Sequence, residues 1–194
     1  LKQIRHFVGL LQPNLDDLYA RTLAADAPVI VDCGAGKSYL GFLLYELVVG
    51  PRGRGQLYSL EVRRELQAAA AARAARFGHE RFHFATGAIG EGEAALPERL
   101  HMVTALHACD TATDDAIALG IRRQADFIAV VPCCQAEVAR QLKDGERDGG
   151  GAIDSVTRSL FRHPLHRREL GSHLTNVVRG LAMQAHGYQV TVTE

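Results

Sequence analysis

Two kinds of hydrophobic pattern alternate along this chain. Short runs rich in β-branched residues read as strands, and stretches with apolar positions every three or four residues read as helices. Val29–Cys33 predicts a first strand, and Leu40, Leu43, Leu44 and Leu47 predict one face of a helix over 38–49. Pro51-Arg52-Gly53-Arg54-Gly55 predicts a turn. Gln56–Leu60 predicts a second strand that ends at Glu61, and Val62–Phe77 an alanine-rich helix stopped by Gly78. Further strands are expected over Arg81–Thr86, Met102–Leu106 and Asp126–Val131, the last closed by Pro132. Helices are expected from near Thr111 or Thr113, over 135–143, and from His166 to His186, where Gly187 ends the run. The charged, glycine-rich stretch from Lys143 to Gly151 reads as a mobile surface loop, and 188–193 as a sixth strand. Residues 1–25 read as a helical cap whose apolar side is Leu10, Leu11, Leu15 and Leu18, ahead of a single domain over 26–194. Alternating βα units with near-continuous apolar strands imply a doubly wound α/β architecture: a mostly parallel sheet with helices on both faces.

Composition narrows the function classes. The 194 residues are 47% hydrophobic and 23% charged, with formal net charge +0, so no global basic field points to nucleic acid. Any such partner would need a local patch. No apolar run reaches the length of a membrane span, and no signal peptide opens the chain. The four cysteines, Cys33, Cys109, Cys133 and Cys134, have the spacing of no zinc finger, so a reduced, cytoplasmic setting and no metal are expected. The chain begins at Leu1 and stops at Glu194 inside a strand-like run, which reads as a fragment.

The candidate chemistry starts at Asp32-Cys33-Gly34-Ala35-Gly36-Lys37-Ser38, where a strand ends in an acid and passes through two glycines into a helix. Gly36-Lys37-Ser38 imitates a phosphate-binding P-loop, but that motif needs a glycine five positions before Gly36, and position 31 is Val. A dinucleotide turn needs a third glycine at position 39, which is Tyr39, although Gly41 nearby keeps an NAD-dependent oxidoreductase among the readings. A third reading also uses the acid. Asp32 followed by Gly-x-Gly suits a ligand with a cationic amino-acid end and an adenosine end, because the glycines let the backbone approach it without a Cβ clash. Glu61, at the tip of the second strand, can then accept both ribose hydroxyls.

At these residues the chain resembles the class I S-adenosylmethionine-dependent methyltransferases. Asp32-Cys33-Gly34-Ala35-Gly36 is similar to their motif I, and Glu61 to their second-strand acid. Leu106-His107-Ala108-Cys109-Asp110, Pro132-Cys133-Cys134-Gln135 and His163–Asn176 look more narrowly like a poorly characterised bacterial methyltransferase family. That family is related to the methyltransferase-like domain of the glutathione-transferase C-terminal-domain-containing protein. The resemblance implies a seven-strand-type, Rossmann-like methyltransferase sheet, here with its last strand or two truncated. It implies S-adenosyl-L-methionine as cofactor, bound by Asp32, Gly34, Ala35, Gly36 and Glu61, with Thr86, Gly87, Ala88 and Ile89 bordering the adenine. His107 would line the floor near the methyl group, where it reads either as a general base or as a histidine hydrogen-bonded to backbone at the sheet edge. Asp110 would orient the acceptor or, with Thr111 and Thr113, cap the following helix.

Cys133 and Cys134 invite a nucleophilic role like that of some RNA cytosine-5 methyltransferases. Those enzymes also carry Pro-Cys after the fourth strand, where this chain has His-Ala-Cys, so two packed thiols are the favoured reading. Arg158, Arg162, Arg167, Arg168 and Arg179 form the one local basic patch, which suits either a solvated helix face or a phosphate-bearing acceptor such as RNA. The scarcity of aromatics, 6% with no Trp, argues against a base-stacking platform. A non-catalytic S-adenosylmethionine-binding or interaction domain would share every cofactor residue.

Overall fold

The computed structural model describes residues 2–23, 27–133, 135–147 and 162–193. Its strands are β1 (Val29–Cys33), β2 (Gln56–Glu61), β3 (Phe82–Thr86), β4 (Met102–Leu106) and β5 (Phe127–Val131). All pair in parallel, in the spatial order β3-β2-β1-β4-β5. The helices are α1 (Lys2–Arg21), α2 (Tyr39–Leu44), α3 (Gly50–Arg52), α4 (Arg64–Arg76), α5 (Thr111–Arg122), α6 (Glu137–Arg147) and α7 (Pro164–Ala185). A π-helical turn (Tyr45–Val49) joins α2 to α3, and a 3-10 turn (Gly92–Ala95) follows β3. The chain forms two compact units. One is Leu1–Ala108 with Asp115–Val131, and the other is Cys109–Asp114 with Pro132–Glu194.

In the first unit the sheet is covered on both faces. Ile30, Leu57, Phe82 and Met102 face a cluster that takes in Phe7, Leu11, Leu15 and Leu18 of α1 and Leu40 and Leu44 of α2. Their strand neighbours Val31 and Val103 point the other way, because side chains alternate across a strand. On that second face Gly120 of α5 lies so close to the sheet that a Cβ would sit 2.6 Å from Ile128. The result is the doubly wound, Rossmann-like α/β arrangement that the alternating pattern predicts. Chain order reverses between β1 and β4, and in such sheets the crevice beyond that point receives the ligand.

Several expectations are corrected. Leu47 is 50% exposed, and Val48 and Val49 are buried in its place. The cause is the π turn, closed by the Gly50 N–H donating to Tyr45 O. It adds one residue to the helical repeat and rotates the apolar face past Leu47. Pro51, which has no N–H to give, then sits in the last helical turn rather than in a loop. Leu10 is 40% exposed, and Phe7 and Val8 fill the core from α1 instead. The expected loop at Lys143 begins as helix, since α6 runs on to Arg147; residues 148–151 lie outside the described residues. Tyr188–Thr193 form no strand. Val192 is 91% exposed, and an alternating sequence has no ladder to join without a partner strand. Among the described residues the sheet therefore has five strands, and no helix is long and apolar enough to cross a membrane.

Candidate functional site

The turn after β1 is built by backbone conformation. Gly34 and Gly36 have φ of 64° and 56°, in the left-handed region that side chains disfavour. A Cβ on Gly34 would meet the Ala108 methyl at 3.4 Å, so the turn passes closely beneath the end of β4. Ala35 N–H donates to Leu60 O at 3.1 Å, and Ser38 N–H donates back to Ala35 O at 2.8 Å. Ser38 itself is left-handed at φ 57° and fully buried. Its hydroxyl meets that of Ser59 at 2.8 Å, and Gln67 Nε2 donates to Ser59 O at 2.7 Å and to Ala85 O at 2.5 Å. A buried polar chain thus runs from the glycine turn across β2 to β3. The close helix–strand packing that a third glycine would serve falls to Gly41, where a Cβ would sit 2.5 Å from the Phe82 ring.

Asp32 lies in β1 with only 2% of its surface exposed. The Thr104 hydroxyl, its register partner on β4, lies 3.3 Å from Asp32 Oδ1 and 3.2 Å from Val31 O. Burial pushes the Asp32 carboxyl up to about 7; the Thr104 hydrogen bond opposes this and the Glu61 charge adds to it.

Glu61 is the opposite case. It is also buried, at 4% exposed, but donors surround its carboxylate. Gly36 N–H donates to Oε2 at 2.7 Å, and Arg63 donates to Oε1 from its backbone N–H at 3.1 Å and from Nε at 2.8 Å. Arg63 Nη2 adds a bond to Oε2 at 3.3 Å. Burial alone would raise this acid, yet the Arg63 and Gly36 hydrogen bonds outweigh it and hold Glu61 below the usual carboxylate range. Both oxygens are thus occupied, and any hydroxyl that binds Glu61 must take the place of the Arg63 side chain. That side chain is 57% exposed, so water can take over its hydrogen bonds if a ligand displaces it.

Other rim positions differ in character. Thr86, at the end of β3, and Ala88, beyond it, are exposed and Gly87 is half-buried, with Gly87 N–H held by Glu61 O at 3.1 Å. Ile89 is turned into the core at 6% exposure, so it does not border the rim as expected. His107 is exposed beyond β4, with φ 62° and its N–H donating to Val131 O at 3.2 Å. A non-glycine residue in that conformation is strained, a condition common at functional rims.

In the second unit, Asp110 caps a helix other than the one that follows it. Its Oδ1 accepts the N–H groups of Ala136 and Glu137 at 3.2 Å each, at the start of α6, and Arg140 Nη2 donates to Oδ2 at 2.8 Å. The Arg140 hydrogen bond is the main reason its carboxyl sits below the usual range. Arg179 is a correction to the basic patch. It is 6% exposed and gripped by Asp114 at 2.6 and 2.9 Å, with a further bond to Asp110 O at 3.0 Å. A guanidinium so engaged offers nothing to a phosphate. Arg162 and Arg168 are exposed, Arg167 is half-buried, and Arg158 lies outside the described residues. Cys133 and Cys109 are exposed thiols, Cys33 is buried, and Cys134 lies outside the described residues. Among the described residues, no three His, Cys, Asp or Glu side chains gather as a metal site.

Arg63, Thr104, Ser59 and Gln67 were not foreseen in the sequence. The available signal was polarity in apolar surroundings: Ser59 and Thr104 interrupt strand runs, and Gln67 an alanine-rich helix.

A family model described as a methyltransferase domain matches residues 1–141. No curated protein matches the chain. Among solved structures, an rRNA methylase from Streptococcus thermophilus is 16% identical with TM-score 0.45, over 63% of this chain and 73% of that one. Precorrin-6y C5,15-methyltransferase from Geobacter metallireducens is 18% identical with TM-score 0.42, over 50% of this chain and 48% of that one. TrmK of M. capricolum, solved with S-adenosyl-homocysteine, is 12% identical with TM-score 0.41, over 68% of this chain and 55% of that one. The chain thus spans about half the length of two of these proteins.

Proposed function

The chain belongs to the methyltransferase-domain family, and from that premise we propose that it is an S-adenosyl-L-methionine-dependent methyltransferase. The observation that carries the reading is Asp32: a buried carboxylate beside a second acid, just before a glycine turn, with no cation among its partners in the described residues. A ligand bearing positive charge would relieve that site. The rest of the turn fits the same ligand. Gly34 holds a left-handed conformation that side chains disfavour, Gly36 and Ala35 line the approach, and Glu61 offers two acceptor oxygens once Arg63 withdraws. Bound S-adenosylmethionine supplies an electrophilic methyl group on a sulfonium. The protein's part is to hold and align it, which removes much of the entropic barrier to in-line transfer. Thr86 and Gly87 serve the adenine side in this reading, and His107 stands exposed at the strand rim as the base.

Four motifs support the narrower kinship with the bacterial family related to the glutathione-transferase C-terminal-domain protein: the glycine turn and the segments at 106–110, 132–135 and 163–176. Exposed Arg162 and Arg168, with half-buried Arg167, support a phosphate-bearing acceptor, RNA in the first place. A cytoplasmic setting accords with thiols kept reduced.

Calorimetry with S-adenosylmethionine, S-adenosylhomocysteine and NAD tests the cofactor. Binding of the first two is expected, and preference for NAD would overturn the reading. Labelled methyl transfer into the RNA, protein and small-molecule fractions of a lysate then identifies the acceptor. Binding without transfer to any fraction would mark a non-catalytic domain.

A further inference from the structure

Cys109 and Cys133 stand 24 positions apart in sequence, yet their sulfurs are 3.3 Å apart. Both side chains are exposed, so a dissolved reagent can reach them. What brings them together is the carboxylate next door. Asp110, directly after Cys109, is bonded to the N–H groups of Ala136 and Glu137 and to the Arg140 guanidinium. Cys133 lies three residues before Ala136 in the segment that this clasp pins. The entropy of joining the two segments is therefore already spent on folding, and oxidation inherits the alignment. A disulfide spans about 2.05 Å, so the sulfurs must close by only about 1.3 Å between them, within reach of small side-chain rotations.

We propose that Cys109 and Cys133 form a reversible dithiol–disulfide pair, oxidised within one chain by a low-molecular-weight disulfide such as oxidised glutathione. One protein thiolate attacks the glutathione disulfide, forming a protein–glutathione mixed disulfide and expelling one glutathione thiolate. The second protein thiolate attacks the protein sulfur of that mixed disulfide and expels the other glutathione thiolate. The two protons lost by the cysteines end on the two glutathiones, and the protein has given up two electrons. Because the second step is intramolecular, the mixed disulfide does not accumulate. The pair forms whether or not the chain transfers methyl groups.

The whole protein is incubated with oxidised glutathione, alkylated, digested and analysed by mass spectrometry. The expected product is a peptide pair linked through Cys109 and Cys133, two hydrogens lighter than its reduced parts and released by dithiothreitol. Cys134→Ser retains the link. Cys109→Ser abolishes it and leaves a stable glutathione adduct on Cys133. Asp110→Ala, which removes every side-chain acceptor of the clasp, slows link formation severalfold while thermal unfolding confirms a folded chain. Stable glutathione adducts on both cysteines of the unsubstituted protein, or a dominant link through Cys134, would overturn the proposal.

Discussion

Asp32 and Asp110 are both aspartates near the ends of parallel strands, and the fold treats them in opposite ways. Asp32 is sealed in β1 with a threonine hydroxyl as its hydrogen-bond donor, and its carboxyl is pushed up to about 7. Asp110 reaches two N–H groups of α6 and an arginine, and its carboxyl is held down. A carboxylate already satisfied by its own chain is structural. One buried and left short of positive charge weakens the fold and persists where a ligand completes it. The difference separates ligand site from scaffold more sharply than motif matching does.

The largest expected effect tests this contrast directly. Asp32→Asn lowers affinity for S-adenosylmethionine by about 100-fold, since one charge contact in a buried site is worth about 3 kcal/mol. The same change raises the melting temperature at pH 8, because it removes a buried charge. Calorimetry and thermal unfolding read both, and undiminished binding would reduce Asp32 to a scaffold residue. Asp110→Ala gives the reverse pattern: a stability loss of about 1 kcal/mol, as for a lost helix cap, with cofactor affinity unchanged.

Acidity sharpens the same comparison. Asp32 has a raised folded value, so folding takes up a proton between its ordinary value, 3.8, and about 7, and its contribution to stability declines as pH rises through that window. Affinity for a cationic ligand runs the other way and climbs as pH passes about 7. Asp110 has a lowered folded value. Its contribution is full above its ordinary value of 3.8 and disappears as pH falls further, through the folded value. Urea titrations of Asp32→Asn and Asp110→Ala against the parent chain separate the two slopes. The smallest effect falls on the competitor at Glu61: Arg63→Ala tightens cofactor binding by about threefold, the scale of an ion pair with one exposed partner. Weaker binding would mean that Arg63 holds the ligand rather than yielding to it.

Much of this was legible in the chain. Met102–Leu106 begins and ends where its apolar run does, and Asp32, Gly34, Gly36 and Glu61 gather around one turn as their order along two adjacent parallel strands requires. The rest depended on facts that periodicity does not carry. Leu47 was misplaced because a 3.6-residue repeat cannot register an inserted residue. Tyr188–Thr193 alternates without pairing because a strand is a property of two segments. Arg63 and Asp110 were underread because their partners are set by side-chain reach, across 2 residues for one and 26 to 30 for the other.

The π turn at Tyr45–Val49 also bears on how this chain can change length. It holds one residue more than a regular helix needs, at a place where Gly50 leaves the Tyr45 carbonyl uncrowded. Deleting one residue there would leave a continuous helix rather than a broken one. The segment is thus a reserve of length: one residue can be lost there while the sheet beside it keeps its register.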